Sequence, residues 1–62
     1  MSSNDVIKAL RADGWVLARS KGSHHHYRHP IKPGTVTVPH PKKDIPTGTL
    51  RSIARQAQIS LT

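Results

Sequence analysis

The ten residues Lys21-Gly22-Ser23-His24-His25-His26-Tyr27-Arg28-His29-Pro30 gather four of the chain's five histidines with two cations, a serine and an aromatic ring. Imidazole exchanges its proton near neutral pH, so such a cluster suits proton transfer, metal ligation or contact with an anion. Residue order leaves all three chemistries open.

Metal ligation has weak support. His24 and His26 share one face of an extended segment and His29 is near, but the chain has no cysteine and no glutamate, and its acidic residues number three. Catalytic zinc takes three protein ligands with partners that orient them, which these residues do not complete, so no metal site and no cofactor is expected. A serine triad has less support still. Ser20 and Ser23 lie near histidines, yet nothing marks a strained elbow, an oxyanion hole or an orienting acid. Gly-Ser-His-His-His also looks like the scar of a purification tag, but the run is internal and continues into Tyr27 and a plausible strand.

Proton transfer on RNA needs least from a small protein. RNA carries its own nucleophile, the 2′-hydroxyl, so an enzyme has only to take that proton, offset charge on the phosphate and protonate the leaving 5′-oxygen. The charge balance favours such a partner. Ten Lys and Arg in 62 residues give a formal charge of +7 and a pI near 11.0, and Lys and Arg gain affinity for nucleic acid by releasing counterions from its phosphates.

The elements that must hold the cluster follow from periodicity. Ser2-x-x-Asp5 resembles a capping box, and Val6, Ile7 and Leu10 form one stripe, which predicts a helix closed by Gly14 in a left-handed cap. The run Trp15–Ser20 predicts a strand covered on at least one face. Lys21-Gly22-Ser23 turns the chain, and His24–His29 returns as the second strand, with Tyr27 in the core and His24, His26 and Arg28 on the other face. Pro33-Gly34 suits a type II turn, and Thr35–Val38 alternates threonine with valine as a half-covered strand does. Leu50, Ile53, Ala54 and Ala57 define a last helix, with Thr47 as its cap and Gln58 near its end. The reading is a single α+β domain over 1–62, ordered α-β-β-β-α, with a three-stranded antiparallel sheet and two helices on one face.

Without cysteine there is no disulfide, and no apolar run is long enough to span a bilayer. The N-terminus lacks the pattern of a secretory signal, so a cytoplasmic protein is expected.

Several blocks together carry a family resemblance: Asp13-Gly14-Trp15; Lys21-Gly22-Ser23-His24-His25; Tyr27-Arg28-His29-Pro30; Val36-Thr37-Val38-Pro39-His40; Gly48-Thr49-Leu50-Arg51-Ser52-Ile53; and Arg55-Gln56-Ala57. In these blocks and their order the chain resembles the HicA toxins, small mRNA-cleaving ribonucleases of bacterial type II toxin–antitoxin pairs. The resemblance implies a double-stranded-RNA-binding-domain-like fold, metal-independent cleavage of mRNA, and a HicB-type antitoxin that masks the active site. It also implies that His24, directly after Gly-Ser, is the catalytic histidine. His26 falls where the family varies and is not expected to be catalytic. Gln58 stands where many relatives have glycine.

Lys21 is the nearest cation to His24 and the first choice for phosphate contact. Ser23, His25, Arg19, Arg28, Lys42 and Lys43 are further candidates for RNA binding, while His29 and His40, each beside proline, are expected to be structural. The residues themselves pick out no general acid to partner His24. A second reading of the same surface is a non-catalytic RNA-binding module that recognises a duplex by its shape.

Overall fold

The computed structural model describes residues 1–61, and Thr62 lies outside the described residues. The elements run α1 (Ser3–Ala12), β1 (Val16–Lys21), β2 (His24–Arg28), β3 (Val36–Pro39) and α2 (Thr47–Ala57). The expected α+β order is therefore the observed one, with strand ends shifted by a residue.

Helix α1 starts where the capping signal lies. Ser2 is extended and its Oγ accepts the Asp5 N–H at 3.2 Å, satisfying one of the helix's free donors. At the other end the Gly14 N–H reaches the Arg11 carbonyl at 3.0 Å and the Trp15 N–H reaches that of Leu10 at 3.0 Å. This is a Schellman closure, with Gly14 at a φ of +105°. Val6 and Leu10 point into the core.

Strands β1 and β2 form an antiparallel hairpin in which Gly22, with a φ of +58°, takes the first central position of a two-residue turn. Strand β3 adds antiparallel to β2, giving the order β1-β2-β3. The Pro33-Gly34 turn carries its positive φ at Gly34, +84°. Val36 and Val38 are fully buried beside Tyr27, and both helices pack on β3 from the side these residues face. Burying each such side chain stabilises by roughly 1.5–3 kcal/mol, the main favourable contribution in a domain this small.

Two expectations need correction. β1 is not covered: all six of its residues are exposed, Val16 by 63% and Leu17 by 41%. It is an edge strand, and Trp15, one residue before it, takes the buried position instead. Thr47 does not cap α2. It is the first helical residue, Pro46 occupies the cap position, and no side chain there bonds the helix N–H groups. Gln58 ends α2 in the left-handed conformation, φ +55°, with the Ile59 N–H on the Ala54 carbonyl at 3.1 Å.

Candidate nucleic-acid interface

Cross-strand pairs in an antiparallel ladder share a face, so the register decides what surrounds each histidine. Lys21 pairs with His24, Arg19 with His26, and Val16 with Arg28. On the far side His24 pairs with Pro39 and His26 with Thr37. These residues form the face away from Tyr27, Val36 and Val38, hence away from both helices.

The cations reach this face by the register of the hairpin turn, and an irregularity follows them. Between Leu17 and Arg19 the register shifts by one, leaving Ala18 as an extra residue. Strict alternation would put Leu17 on the face of Arg19 and Lys21. The bulge instead turns Leu17 to the side of Tyr27, while both cations stand beside the histidines by the register of the turn.

The candidate residues divide accordingly. Arg19, Lys21, His24 and Arg28 are exposed and come together on the open face. Ser23 lies at the hairpin tip next to His24, its carbonyl accepting the His40 N–H at 2.7 Å. His25 points the other way, and its ring meets His40 edge-on with centroids 4.8 Å apart. Lys42 and Lys43 are exposed in the connection after β3, outside the ladder. That connection is clipped to α1: Ser3 donates its N–H to the Lys42 carbonyl at 2.8 Å, and its Oγ accepts the Lys42 N–H at 2.9 Å while bonding His40 Nδ1 at 2.7 Å. Among the described residues no group of three His, Asp or Glu side chains is gathered closely enough to hold a metal ion.

His26 is more constrained than its neighbours. Its Nδ1 lies 2.8 Å from Thr37 Oγ1 and it is half-buried. Burial lowers the pKa of this imidazole below its ordinary value, and the nearby Arg19, His24 and His25 lower it further. The sequence signal for this pair is alternation: Thr37 lies between two buried valines, and His26 is two residues from His24.

His29 and Lys32 are structural. His29 Nε2–H donates to the Asp13 carbonyl at 2.7 Å, and its Nδ1 accepts the N–H groups of Ile31 and Lys32, both at 3.0 Å. Its ring meets Trp15 edge-on at 5.2 Å. Lys32 Nζ donates to Asp13 Oδ2 at 2.6 Å and to the last carbonyls of α2, Ala57 at 3.0 Å and Gln58 at 3.1 Å. The Lys32 ammonium holds the Asp13 carboxyl below the usual carboxylate range, against the opposing effect of burial. The Trp15 indole N–H is buried without a hydrogen-bond partner among the described residues. No residue spacing announces Lys32, whose partners are 19 and 25 residues away.

Fold and face define a small α+β domain: a three-stranded sheet with its helices on one side and a cationic, histidine-bearing surface on the other. The family model for the HicA toxin of bacterial toxin–antitoxin pairs matches residues 3–59. The chain belongs to the HicA toxin family. Among solved structures, a chain of a HicA3 and HicB3 toxin–antitoxin complex is 35% identical, matches over 100% of both chains and superposes with a TM-score of 0.83. No curated protein sequence matches significantly.

Proposed function

We propose that this toxin is a cytoplasmic endoribonuclease that cleaves mRNA with His24 as its proton-transfer group, and that a HicB-type antitoxin restrains it by covering the open face. The observation that carries the reading is the placement of His24. It stands exposed at the head of β2, directly across the ladder from Lys21 and flanked on the same face by Arg19 and Arg28. Paired side chains of this kind have Cβ atoms about 5 Å apart, so an imidazole and an ammonium can address one phosphate together.

In the proposed reaction the RNA 2′-oxygen bonds to phosphorus as it loses its proton, the bond from phosphorus to the 5′-oxygen breaks, and that oxygen is protonated. The products are a 2′,3′-cyclic phosphate and a 5′-hydroxyl. His24 moves a proton, and Lys21 offsets the charge that builds on the phosphate oxygens. The antitoxin assignment is supported by the matched complex, whose HicA3 chain is held with HicB3. No helix of the described residues is long and apolar enough to cross a membrane.

The test is incubation of the purified protein with single-stranded RNA in EDTA, followed by end-group analysis. Cyclic phosphate ends are expected, with His24→Ala slower by about 10²–10⁴-fold, the usual range for a lost acid–base group. RNA left intact by the wild type, or cut equally well by His24→Ala, would overturn the reading. Intact but salt-sensitively bound RNA would favour the non-catalytic binding module.

A further inference from the structure

The open face holds two imidazoles in different situations. His24 is free and exposed, whereas His26 is half-buried and tied through Nδ1 to Thr37 Oγ1 at 2.8 Å. They stand on successive same-face positions of β2, about 6.7 Å apart along the strand. This is a step of the order separating neighbouring nucleotides. Each faces a cation across the hairpin, Lys21 for His24 and Arg19 for His26, with Arg28 following on β2.

Single-stranded RNA is recognised largely by stacking unpaired bases on flat side chains, histidine among them, while cations take the phosphates. The chain's only tryptophan and tyrosine, Trp15 and Tyr27, are both buried. Among the described residues the planar rings on the open face are therefore His24 and His26, and His24 is committed to the proposed chemistry.

Resting on the ribonuclease reading above, we infer that His26, with its ring fixed by Thr37, is the platform on which the nucleotide next to the scissile phosphate stacks, and so sets cleavage-site preference. A ring already held by a hydrogen bond loses less freedom when a base settles on it than a free side chain does. Its surroundings also disfavour its charged form: burial lowers its pKa first, and Arg19 across from it on β1 and His24 and His25 beside it on β2 lower it further, while Arg28 follows on its own strand and Thr37 on β3 is neutral. An uncharged ring between cations offers a surface for a base rather than a competing phosphate contact.

The experiment is cleavage of a degenerate single-stranded RNA pool by the wild type, His26→Ala, His26→Phe and Thr37→Val, with every cut mapped by sequencing. Folding of each variant is checked by circular dichroism. The wild type should prefer one base class at a position flanking the cut. His26→Ala should flatten that preference and weaken use of the preferred site on the order of 5- to 150-fold, the effect of losing one aromatic stacking platform, and more through KM than kcat. His26→Phe should retain a preference by stacking, and Thr37→Val should blur it.

An unchanged ranking of sites in both His26→Ala and Thr37→Val would overturn the inference alone, as would a wild type that cuts without preference. A wild type that does not cut RNA would overturn it together with the ribonuclease reading. Should His26→Ala fail to fold, the comparison of Thr37→Val with Thr37→Ser, which restores the hydroxyl, decides in its place: equal preference in both overturns it.

Discussion

The His29 ring occupies the space that a side chain on Gly14 would need: a Cβ built there would lie 2.8 Å from His29 Nε2. That nitrogen is not free to retreat, because it is bonded to the Asp13 carbonyl at 2.7 Å, and Trp15 closes on the ring edge. Gly14 is thus required twice, by its φ of +105° and by this close approach. Gly14→Ala should destabilise the domain by about 2–4 kcal/mol, combining a left-handed backbone cost with an overpacked contact. Urea denaturation checks it, and a loss under about 1 kcal/mol would show that the ring can move.

Lys32 ties the end of α1 to the end of α2, and the tie should be visible as pH dependence. Asp13 has its carboxyl pKa lowered in the folded state, first by the Lys32 hydrogen bond. Its contribution is therefore present above the ordinary carboxylate pKa and fades as pH falls through the lower folded-state value. Thermal midpoints of the wild type should drop on acidification through that range. Lys32→Met should melt lower at pH 7 and lose less on acidification, because it leaves Asp13 unpaired and the carbonyls of Ala57 and Gln58 without their donor. Parallel curves for the two proteins would contradict this account.

The order of elements was legible in the sequence because each signal was local: the Ser2 cap, the alternating Thr37 and the stripe through Ile53 and Ala57 were all expressed where they occur. The candidate site was half legible. Alternation put His24 and Arg28 together, and the turn at Gly22-Ser23 sets Lys21 across from His24 and Arg19 across from His26, whereas the Ala18 bulge that turns Leu17 to the other side is marked by no residue pattern. Burial of β1 was misjudged because an apolar run does not reveal whether its strand lies at a sheet edge or in the middle. Alternation along β2 already set His25 on the side of Tyr27, apart from His24, whereas Lys32 acts across distances that spacing does not encode.

Gln58 closes α2 from the left-handed region, where a side chain crowds its own backbone and glycine does not. The closure is a Schellman motif, and Lys32 touches only the backbone carbonyl of this residue. Gln58→Gly should therefore stabilise by about 0.5–1 kcal/mol, the strain relieved exceeding the extra freedom given to the unfolded chain. For a domain of this size that is a rise of about 4 °C in Tm. A fall in Tm would mean that the Gln58 side chain contributes more than its backbone strain costs.

The two sides of the molecule make a final prediction separable from overall charge. Arg19, Lys21 and Arg28 are on the open face, whereas Arg51 and Arg55 are exposed on α2, which buries Ile53 and Ala57 against the opposite side of the sheet. Each substitution to alanine removes one positive charge, so a nonspecific attraction would weaken alike in all five. Contact through the open face predicts otherwise. With a non-cleavable single-stranded oligonucleotide, each cation that touches a phosphate contributes roughly 0.7 to the slope of log K against log salt. Arg19→Ala, Lys21→Ala and Arg28→Ala should each flatten the slope by about that amount, and Arg51→Ala and Arg55→Ala should leave it near the wild-type value. Equal losses on both sides would place the RNA elsewhere and remove the basis for pairing Lys21 with His24 at the scissile phosphate.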